Sequence, residues 1–600
     1  MKAHRTVGGG GDEIGMVLGA VAVAVLVPAL IVWVPIQTVD PPGHRGGGPV
    51  RVVVDLIAGR ISWDWGCTAV LLAELVVLAL LALLGVWLWR SGRKNHSRVD
   101  WAARHMASAD DLAKLTPQGV EESARRLRPA MGETQDADQF GIPIGVTVPA
   151  GIELRQTWED MACDIWGPRT GKTTSRAIPA IVAAPGPVVA TSVKGDIVDA
   201  TIEPRAKRGK VWVFDPMYLL SRDLSKPGVP SFWWNPLRGI DTITKARLLA
   251  EHFSFAEQAN DGASPRDPFF DTKASDFIAN LMLAAAVSGA HDMTDVYRWT
   301  TNQRDTTPGD ILKDRNYHLP AESVYGVLAM PDRTRGSVYA IAEAALAVLT
   351  EPAVTAWITP PPDGRPELDI TAFVRSTDTL YMLSRGGPGT PAPLIAALAD
   401  AVLRAGEAAA RPSPGRRLDP PLFSCLDEAA NIVRIRQLPS LYSFYGSHGL
   451  PIMTILQSWA QGEEVWGKAG MRKLWDSSNV RTYGGGVADP AFLEEISRNI
   501  GHYWMTTKSV TTQSRGWDRS VNRSPQRMRV LDVEDLFAMP VGRMVVLPSG
   551  APAALVRTRP WQVGPYADGV RASLAKWDPQ GQAYDPKLLP EDTVLHMEGQ

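Results

Sequence analysis

The sequence predicts an α/β protein with a parallel sheet, an inserted all-helical domain and an N-terminal two-helix transmembrane hairpin. Three observations predict this fold class. Two long apolar runs lie near the N-terminus, where each is long enough to cross a membrane. From about residue 150, short apolar strands alternate with helical patterns, which is typical of parallel βαβ units. Between about 236 and 375 the strands stop and only helical patterns remain.

Composition, net charge and cysteine spacing exclude several classes of protein. The chain is 45% hydrophobic and 21% charged, a balance typical of globular proteins. The formal net charge of -2 excludes nucleic-acid binding through bulk charge, so any such contact must be local. Cys67, Cys163 and Cys425 are far apart and form neither a zinc spacing nor a disulfide framework. This cysteine usage indicates a reducing compartment.

The first apolar run spans 14–36 without a charged residue, and the second spans 67–89 with Glu74 as its one charge. At 1.5 Å per residue, each can cross a hydrocarbon layer of roughly 30 Å. A cleaved signal peptide is the alternative for the first run, but that run is long for one and a second span follows. Glu74 either has a functional role in the membrane or faces a helix partner or water, which is the interpretation we favour.

Basic residues set the expected orientation. Arg90, Arg93, Lys94 and Arg98 follow the second span, whereas the loop 37–66 holds fewer basic residues. The positive-inside rule then places both termini in the cytoplasm. We therefore expect a cytoplasmic-membrane protein with two spans and a cytoplasmic main domain.

The pattern along the chain predicts six segments. They are the transmembrane hairpin 1–100, a linker or entry segment 101–149, the first part of the core 150–235, the all-helical domain 236–375, the second part of the core 376–560 and a C-terminal tail 561–600. Core strands are expected at 187–191, 211–215, 379–383, 422–426, 452–456 and 480–483.

A phosphate-binding loop is predicted after a short strand at 161–165. Its residues are Gly167, Pro168, Arg169, Thr170, Gly171, Lys172, Thr173 and Thr174. In such a loop, backbone N–H groups and a helix N-terminus hold the phosphates, the Lys reaches the terminal phosphates and the next hydroxyl holds Mg²⁺. Those two roles fall to Lys172 and Thr173. The sequence departs from G-x-x-x-x-G-K-[ST] in one place, because Trp166 stands where the first Gly is expected.

Two further strand ends complete the predicted site. The apolar run 421–426 ends in Asp427-Glu428, which predicts a Mg²⁺ ligand followed by a general base. A helix N-terminus is the alternative for this pair. The run 451–456 ends at Gln457, whose amide can contact the γ-phosphate or the attacking water, with a plain strand cap as the alternative. The predicted cofactors are ATP and Mg²⁺, with Lys172, Glu428 and Gln457 catalytic and Thr173 and Asp427 binding the metal.

Several ordered blocks resemble the type IV coupling proteins, the TraG/TraD-like ATPases of conjugation and type IV secretion. The similarity extends over about 150–560 and includes the N-terminal hairpin. The blocks are 167–174, Thr191–Asp196, Val213–Pro216, Trp234–Leu237, Asp427–Ile432 with Leu438-Pro439, and Ile455–Gln461. The resemblance implies a RecA-like P-loop ATPase core.

The resemblance also implies a function and partners. Such a protein forms a homo-hexamer under the membrane and hydrolyses ATP to move single-stranded DNA, with an attached relaxase, to a type IV secretion channel. Its partners are then the DNA, the relaxase or DNA-processing complex, the channel proteins and the membrane. The all-helical domain is expected to recognise the DNA-processing complex.

Three alternatives stay open at this point. A protein-only type IV secretion ATPase has the same motor. An FtsK-like DNA translocase also joins membrane spans to such a motor, although the helical insertion and the block around Gln457 argue against it. A nucleotide-binding scaffold with little hydrolysis is the third, since Trp166 departs from the loop pattern.

The arginine finger and the basic stretch 515–529 are not assigned by the sequence. The family usually carries arginines just before the strand that ends at the Gln, but this chain has Gly446 and His448 at those positions. Arg385 and Arg481 are the alternative candidates for an arginine finger. The stretch 515–529 holds Arg515, Arg519, Arg523, Arg527 and Arg529 with Trp517. It either contacts a phosphate backbone or forms a solvated surface loop, which is the reading we favour.

Overall fold

The computed structural model describes residues 30–44, 46–92, 97–220, 232–260, 267–387, 389–512 and 519–578. The chain divides into two compact units, residues 1–96 and 97–600.

The described residues of the first unit form three helices, Leu30–Val39, Pro49–Ile57 and Trp65–Gly92. The segment Trp65–Gly85 has a mean hydropathy of 2.7, and only 6% of its most apolar stretch of 18 residues is buried. It is the one helix in the described residues that is long and apolar enough to cross a membrane, and it coincides with the second predicted span. Of the first predicted span, residues 14–29 lie outside the described residues. The two-span prediction is therefore not confirmed.

The second unit is built on an eleven-stranded sheet and a separate two-stranded ribbon. The strands are β1 Gly141–Thr147, β2 Glu153–Thr157, β3 Ala162–Ile165, β4 Val188–Ser192, β5 Val211–Phe214, β6 Thr379–Leu383, β7 Phe423–Leu426, β8 Ile452–Leu456, β9 Val480–Tyr483, β10 His502–Thr512, β11 Arg519–Arg529, β12 Arg543–Pro548 and β13 Ala554–Thr558. The sheet order is β2-β1-β13-β12-β9-β3-β8-β7-β4-β6-β5.

Seven neighbouring strands of the sheet, from β9 through β3 to β5, are parallel. Every residue of β3 to β8 is buried, as expected when helices cover both faces of a parallel sheet. The other four strands pair antiparallel and extend the sheet beyond β9. The prediction of an α/β fold with a mostly parallel sheet is confirmed.

Helices fill the sequence between β5 and β6. The six longer ones are Ile243–Asn260, Pro268–Ser288, Met293–Thr301, Thr307–Asp314, His318–Leu328 and Asp332–Ala345, followed by the short helices Pro352–Thr355 and Ile370–Phe373. The helix Pro268–Ser288 is central and buries the continuous run 277–285. An isolated bridge between Trp233 and Glu367 joins the two ends of this region.

The described part of the second unit contains further helices. They are Arg98–Ala102, Pro117–Leu127, Ala137–Phe140, Ile178–Ala183, Asp196–Ala206, Ala392–Ala410, Ala429–Ile432, Leu438–Leu441, Trp459–Asp476, Pro490–Ile500, Val533–Phe537 and Ala567–Trp577.

The two ends of this unit hold more structure than the sequence indicates. The stretch 101–149, expected to be a linker, contains β1, which pairs with β13 inside the sheet. Of the expected tail, residues 561–578 are described and contain the helix Ala567–Trp577. Ser573 Oγ donates a hydrogen bond to the Asp199 carbonyl (2.6 Å), and Trp577 Nε1 donates one to Glu203 Oε1 (2.7 Å). This helix therefore packs against the helix Asp196–Ala206.

β10 and β11 pair antiparallel over eleven positions, from His502 opposite Arg529 to Thr512 opposite Arg519. The surface-loop reading of 515–529 is thus wrong for 519–529, which form a strand. Residues 513–518, including Arg515 and Trp517, lie outside the described residues.

Candidate nucleotide-binding site

The predicted site residues meet at the carboxyl ends of β3, β8 and β7, which are adjacent in the sheet. The loop 166–172 follows β3, Asp427 and Glu428 follow β7, and Gln457 follows β8. Because these strands are parallel, the three segments emerge at one edge, where ligands bind in open α/β sheets.

Short hydrogen bonds hold the loop in shape. Thr170 Oγ1 donates to the Gly167 carbonyl (2.7 Å), and Thr174 Oγ1 donates to the Gly171 carbonyl (3.0 Å). Gly171 has a φ of +89°, which favours glycine, and Arg169 adopts +60° with its side chain exposed. The predicted phosphate-binding loop therefore forms a tight turn in the structure.

The helix that follows begins with a π-turn, Thr173–Ala177, and continues as Ile178–Ala183. Pro179 has no N–H and cannot make the ordinary bond to the residue four positions earlier, which agrees with the wider turn before it. The half-buried Thr173 is the first residue of this turn.

Glu428 is the centre of the side-chain network. Its Oε1 accepts hydrogen bonds from Lys172 Nζ and from Gln457 Nε2 (2.6 Å). Its Oε2 accepts one from Asn431 Nδ2 (2.7 Å). Glu428 has a φ of +54°, a strained conformation for a non-glycine residue and one that concentrates at functional sites.

Asp427 lies beside this network. Its Oδ1 is 3.6 Å from Lys172 Nζ, is buried, and has no hydrogen-bond partner among the described residues. Thr191 Oγ1 donates to the Asp427 carbonyl (3.0 Å) and fixes the backbone. The structure therefore brings together Lys172, Asp427, Glu428 and Gln457.

Burial raises the pKa of Asp427 to about 7, the Lys172 ammonium opposes the rise, and the Glu428 and Asp196 carboxylates add to it. Burial alone would lower the pKa of Lys172, but the Asp427 and Glu428 carboxylates outweigh it and raise that pKa. Since buried carboxylates outnumber the one ammonium, the site favours a further cation.

The residues present fit a Mg²⁺ ion with a nucleotide. The unpartnered Asp427 Oδ1 is a buried carboxylate oxygen of the kind that Mg²⁺ or its bound water takes as a ligand. In the described part of the chain, no group of three or more acidic, His or Cys side chains forms an all-protein metal site. Mg²⁺ commonly binds through one or two carboxylates plus phosphates and water, so one aspartate and one threonine suffice.

The sequence reading assigned no role to Asn431 or Asp196. Asn431 holds the Glu428 carboxylate, and Asp196 is close enough to raise the pKa of Asp427. Asp196 begins the helix Asp196–Ala206 and accepts hydrogen bonds from the Ile197 N–H (2.9 Å) and Ser192 Oγ (3.4 Å). Both residues belong to the sequence blocks that resemble the family. That resemblance was the sequence signal that could have identified them.

Trp166 supports the loop from below. Its side chain is 0% exposed, and Nε1 donates to Thr482 Oγ1 (2.7 Å). Thr482 Oγ1 donates in turn to Asp164 Oδ1 (2.7 Å), and Asp164 Oδ2 is ion-paired with Nε of the buried Arg176 (2.9 Å). Trp166 thus belongs to a polar chain that ends on the helix after the loop.

Three glycines after β9 form the surface against which the loop packs. The Gly167 N–H donates to the Gly485 carbonyl (2.9 Å). A Cβ on Gly484 would lie 2.0 Å from the Trp166 ring, and one on Gly486 would lie 2.7 Å from the Thr170 methyl. The sequence reading missed this segment, although the run Gly484-Gly485-Gly486 directly after a predicted strand was a visible signal.

The arginine-finger positions are dispersed. Gly446 and His448 precede β8 and lie at the sheet edge opposite the loop, where a Cβ on Gly446 would be 2.2 Å from the Glu159 carbonyl. Arg481 lies early in β9, and its Nε donates to the Leu547 carbonyl (3.3 Å). Arg385 is exposed and follows β6 at the same edge as the loop.

Residues 421–541 match the family model TraG-D_C, described as the TraM recognition site of TraD and TraG. The chain is 21% identical to the protein VirD4 of Rhizobium rhizogenes over 559 residues, which cover 91% of this chain and 76% of that protein. It is also 21% identical to the protein VirD4 of Agrobacterium fabrum, over 72% of this chain and 62% of that protein.

Solved structures share the fold. The bacterial conjugative coupling protein TrwBdeltaN70 superposes with a TM-score of 0.51 at 17% identity, over 73% of this chain and 91% of that one. The plasmid coupling protein TrwB in complex with the ATP analogue ADPNP gives a TM-score of 0.50 at 17% identity, over 72% and 91%.

Proposed function

This chain belongs to the type IV coupling protein family, and from that premise we propose that it is a membrane-anchored ATPase for conjugative DNA transfer. It couples ATP hydrolysis to the transfer of single-stranded DNA, with an attached relaxase, to a type IV secretion channel. The observation that carries the proposal is the network in which Glu428 contacts Lys172, Gln457 and Asn431 at the end of the phosphate loop.

The loop Gly167–Thr174 holds the phosphates of ATP, and Thr173 and Asp427 hold Mg²⁺. A TrwB structure contains the ATP analogue ADPNP, and the same fold here supports this assignment. When bound, Mg²⁺ neutralises phosphate charge as the terminal phosphate leaves. Lys172 is kept charged by its carboxylate neighbours and supplies a second positive group at the phosphates.

Glu428 acts as the general base that takes a proton from the attacking water. Its two oxygens accept from different donors, so the carboxylate is fixed in plane and direction. Gln457 and Asn431 are therefore positioning residues for the base, and the Gln457 amide would be available to contact the terminal phosphate of a bound nucleotide. Trp166 does not weaken this arrangement, because its indole is buried beneath the loop.

We further propose the membrane topology and assembly. Trp65–Gly92 is one of two spans, 14–36 is the other, and the main domain lies in the cytoplasm as part of a homo-hexamer. The exposed apolar surface of Trp65–Gly85 supports the first of these statements. Relaxase, DNA-processing proteins and channel proteins are the proposed partners. Arg385 is the proposed arginine finger for a neighbouring subunit, which its exposure after β6 supports.

The test measures ATP turnover by the full-length protein with and without single-stranded DNA, alongside DNA transfer in a mating assay. We expect DNA to stimulate turnover and transfer to depend on Glu428. Unstimulated turnover with protein secretion intact would instead identify a protein-only secretion ATPase. Nucleotide binding without measurable turnover would identify a nucleotide-binding scaffold.

A further inference from the structure

The ribbon β10-β11 has two chemically different faces. Alternate residues of a strand share a face, and the register places Trp504 opposite Arg527 and Lys508 opposite Arg523. Arg519, opposite Thr512, occupies a position on the same face. Trp504, Lys508, Arg519, Arg523 and Arg527 therefore occupy register positions on one face, which we call the basic face.

The basic face is exposed where its side chains are described. Trp504 is 71% exposed, and Arg523 and Arg527 are exposed as well. On the other face, Met505 and Met528 are 43% and 39% exposed. The paired segments 502–512 and 519–529 contain no acidic residue. The ribbon thus combines positive charge with large apolar side chains that its own chain leaves uncovered.

The base of the ribbon is fixed to the segment that begins the second unit. The Tyr503 ring stacks on His105 at 4.1 Å and lies edge-on to Trp101 at 5.9 Å. Arg98 forms ion pairs with Asp532 (3.0 Å) and Asp535 (3.2 Å), shortly after β11. Residues 98–105 and the ribbon therefore pack together within this unit.

The segment that holds the base follows the apolar helix closely in sequence. The helix Trp65–Gly92 ends at residue 92, and the second unit begins at residue 97. The proposed membrane anchor and residues 98–105 are therefore near neighbours along the chain.

We propose that the basic face of the ribbon binds the anionic headgroups of the cytoplasmic leaflet, with Trp504 at the interface. The inference rests on the proposed membrane anchoring. Arginine attracts anionic lipid electrostatically, and tryptophan is favoured at the boundary between headgroups and acyl chains. Single-stranded DNA is the competing ligand, and lipid is favoured because residues 98–105, which hold the base of the ribbon, follow the proposed span closely in sequence.

The test uses the full-length protein in nanodiscs of phosphatidylcholine alone or of phosphatidylcholine with phosphatidylglycerol. Thr506→Cys, an exposed position on the basic face, is labelled with an environment-sensitive fluorophore, since the three native cysteines are buried. We expect a blue shift in the anionic discs only, and high salt should reduce it.

Arg523→Gln with Arg527→Gln should lower the ratio of bound to free ribbon about fivefold for each arginine. The matched control, Lys273→Gln with Arg333→Gln, removes two exposed charges from the helical insertion and should leave the shift unchanged. A label at the exposed position Glu322→Cys should not respond to lipid composition.

Each other outcome contradicts the proposal in a recognisable way. Equal signals in both lipids would overturn it while leaving the membrane anchor intact. A shift on adding a single-stranded oligonucleotide to neutral discs, with none from anionic lipid, would assign the face to nucleic acid. Failure to assemble into either nanodisc would overturn the anchoring proposal and this inference together.

Discussion

The Glu428 carboxylate has a different donor on each oxygen, and its backbone occupies the left-handed region. Such an arrangement fixes the direction of the carboxylate at the cost of local strain. The strain is tolerated because the neighbouring strands and the Asn431 amide hold the turn. At the residue scale, this is the arrangement that a positioned base requires.

Glu428→Gln should leave nucleotide binding within a few fold and lower kcat by about 10²–10⁴-fold, because the amide cannot accept the proton. Turnover and nucleotide affinity are measured on the same full-length preparation. Glu464→Gln changes an exposed glutamate and serves as the control. Wild-type turnover in Glu428→Gln would exclude this residue as the base.

The polar chain under the loop gives a second prediction at this scale. Thr482→Val removes the acceptor for the Trp166 indole and the donor to Asp164, leaving buried groups unpaired. Each such group costs about 1–3 kcal/mol, so the midpoint of thermal unfolding should fall measurably. Thr506→Val, at an exposed strand position, should have little effect. An unchanged midpoint for Thr482→Val would show that this chain of bonds contributes nothing to stability.

At the scale of elements, the sheet edge after β9 and the phosphate loop behave as one packed unit. The indole of Trp166 fills the space over Gly484, and the Gly485 carbonyl accepts from the loop backbone. A side chain added to the glycine segment after β9 would therefore displace the phosphate loop, and a larger side chain in the loop would displace the glycine segment.

Gly484→Ala should therefore destabilise the protein by about 1–3 kcal/mol, the usual cost of overpacking, and weaken nucleotide binding. In a Trp166→Val background, Gly484→Ala should cost less than in the wild-type background, because the ring that the new methyl meets is absent. Gly336→Ala, at an open helical position, is the control. Thermal unfolding and nucleotide titration of the wild type, both single variants, the double variant and the control measure the effect, and an equal cost of Gly484→Ala in both backgrounds would argue against a direct clash.

Buried parallel strands were predictable because they are short continuous apolar runs. β4 to β8 begin within one residue of the expected positions. The strands β1 and β2 contain Gly141, Pro143, Arg155 and Gln156, which interrupt that pattern, and the pairing of β1 with β13 is non-local. The ribbon was missed for a related reason, since its polar alternation matches a solvated loop equally well.

Within the candidate site, the sequence predicted those residues that belong to a recognisable motif. Lys172, Asp427, Glu428 and Gln457 follow predicted strands, so their meeting at one sheet edge could be expected. The residues that support them could not be identified in the same way. Gly484 and Thr482 act through contacts with Trp166, and such contacts depend on tertiary packing rather than on local spacing.

At the scale of the whole molecule, the C-terminal helix braces the nucleotide-binding half. The Trp577 side chain is buried, and its Nε1 donates a hydrogen bond to Glu203. Glu203 lies about one turn before the end of the helix Asp196–Ala206. The last described helix is thus part of the core rather than an appendage.

Trp577→Ala should destabilise the protein by about 3–5 kcal/mol, the usual cost of truncating a buried tryptophan. Trp504→Ala removes the same side chain from an exposed position and should leave thermal stability nearly unchanged. Thermal unfolding of the purified full-length variants measures both. Equal stability of the two variants would mean that the C-terminal helix is dispensable for the fold.

The pairing of β1 with β13 has a consequence for biogenesis. Gly145 pairs with Thr558, and at roughly 5–20 residues per second a ribosome needs about 20–80 s to make the intervening chain. During that interval β1 lacks its partner, and an unpaired strand edge is a template for aggregation. Early pairing of β1 with β2 limits that exposure. A nascent chain that stalls before residue 558 therefore carries an open sheet edge and becomes a substrate for chaperones.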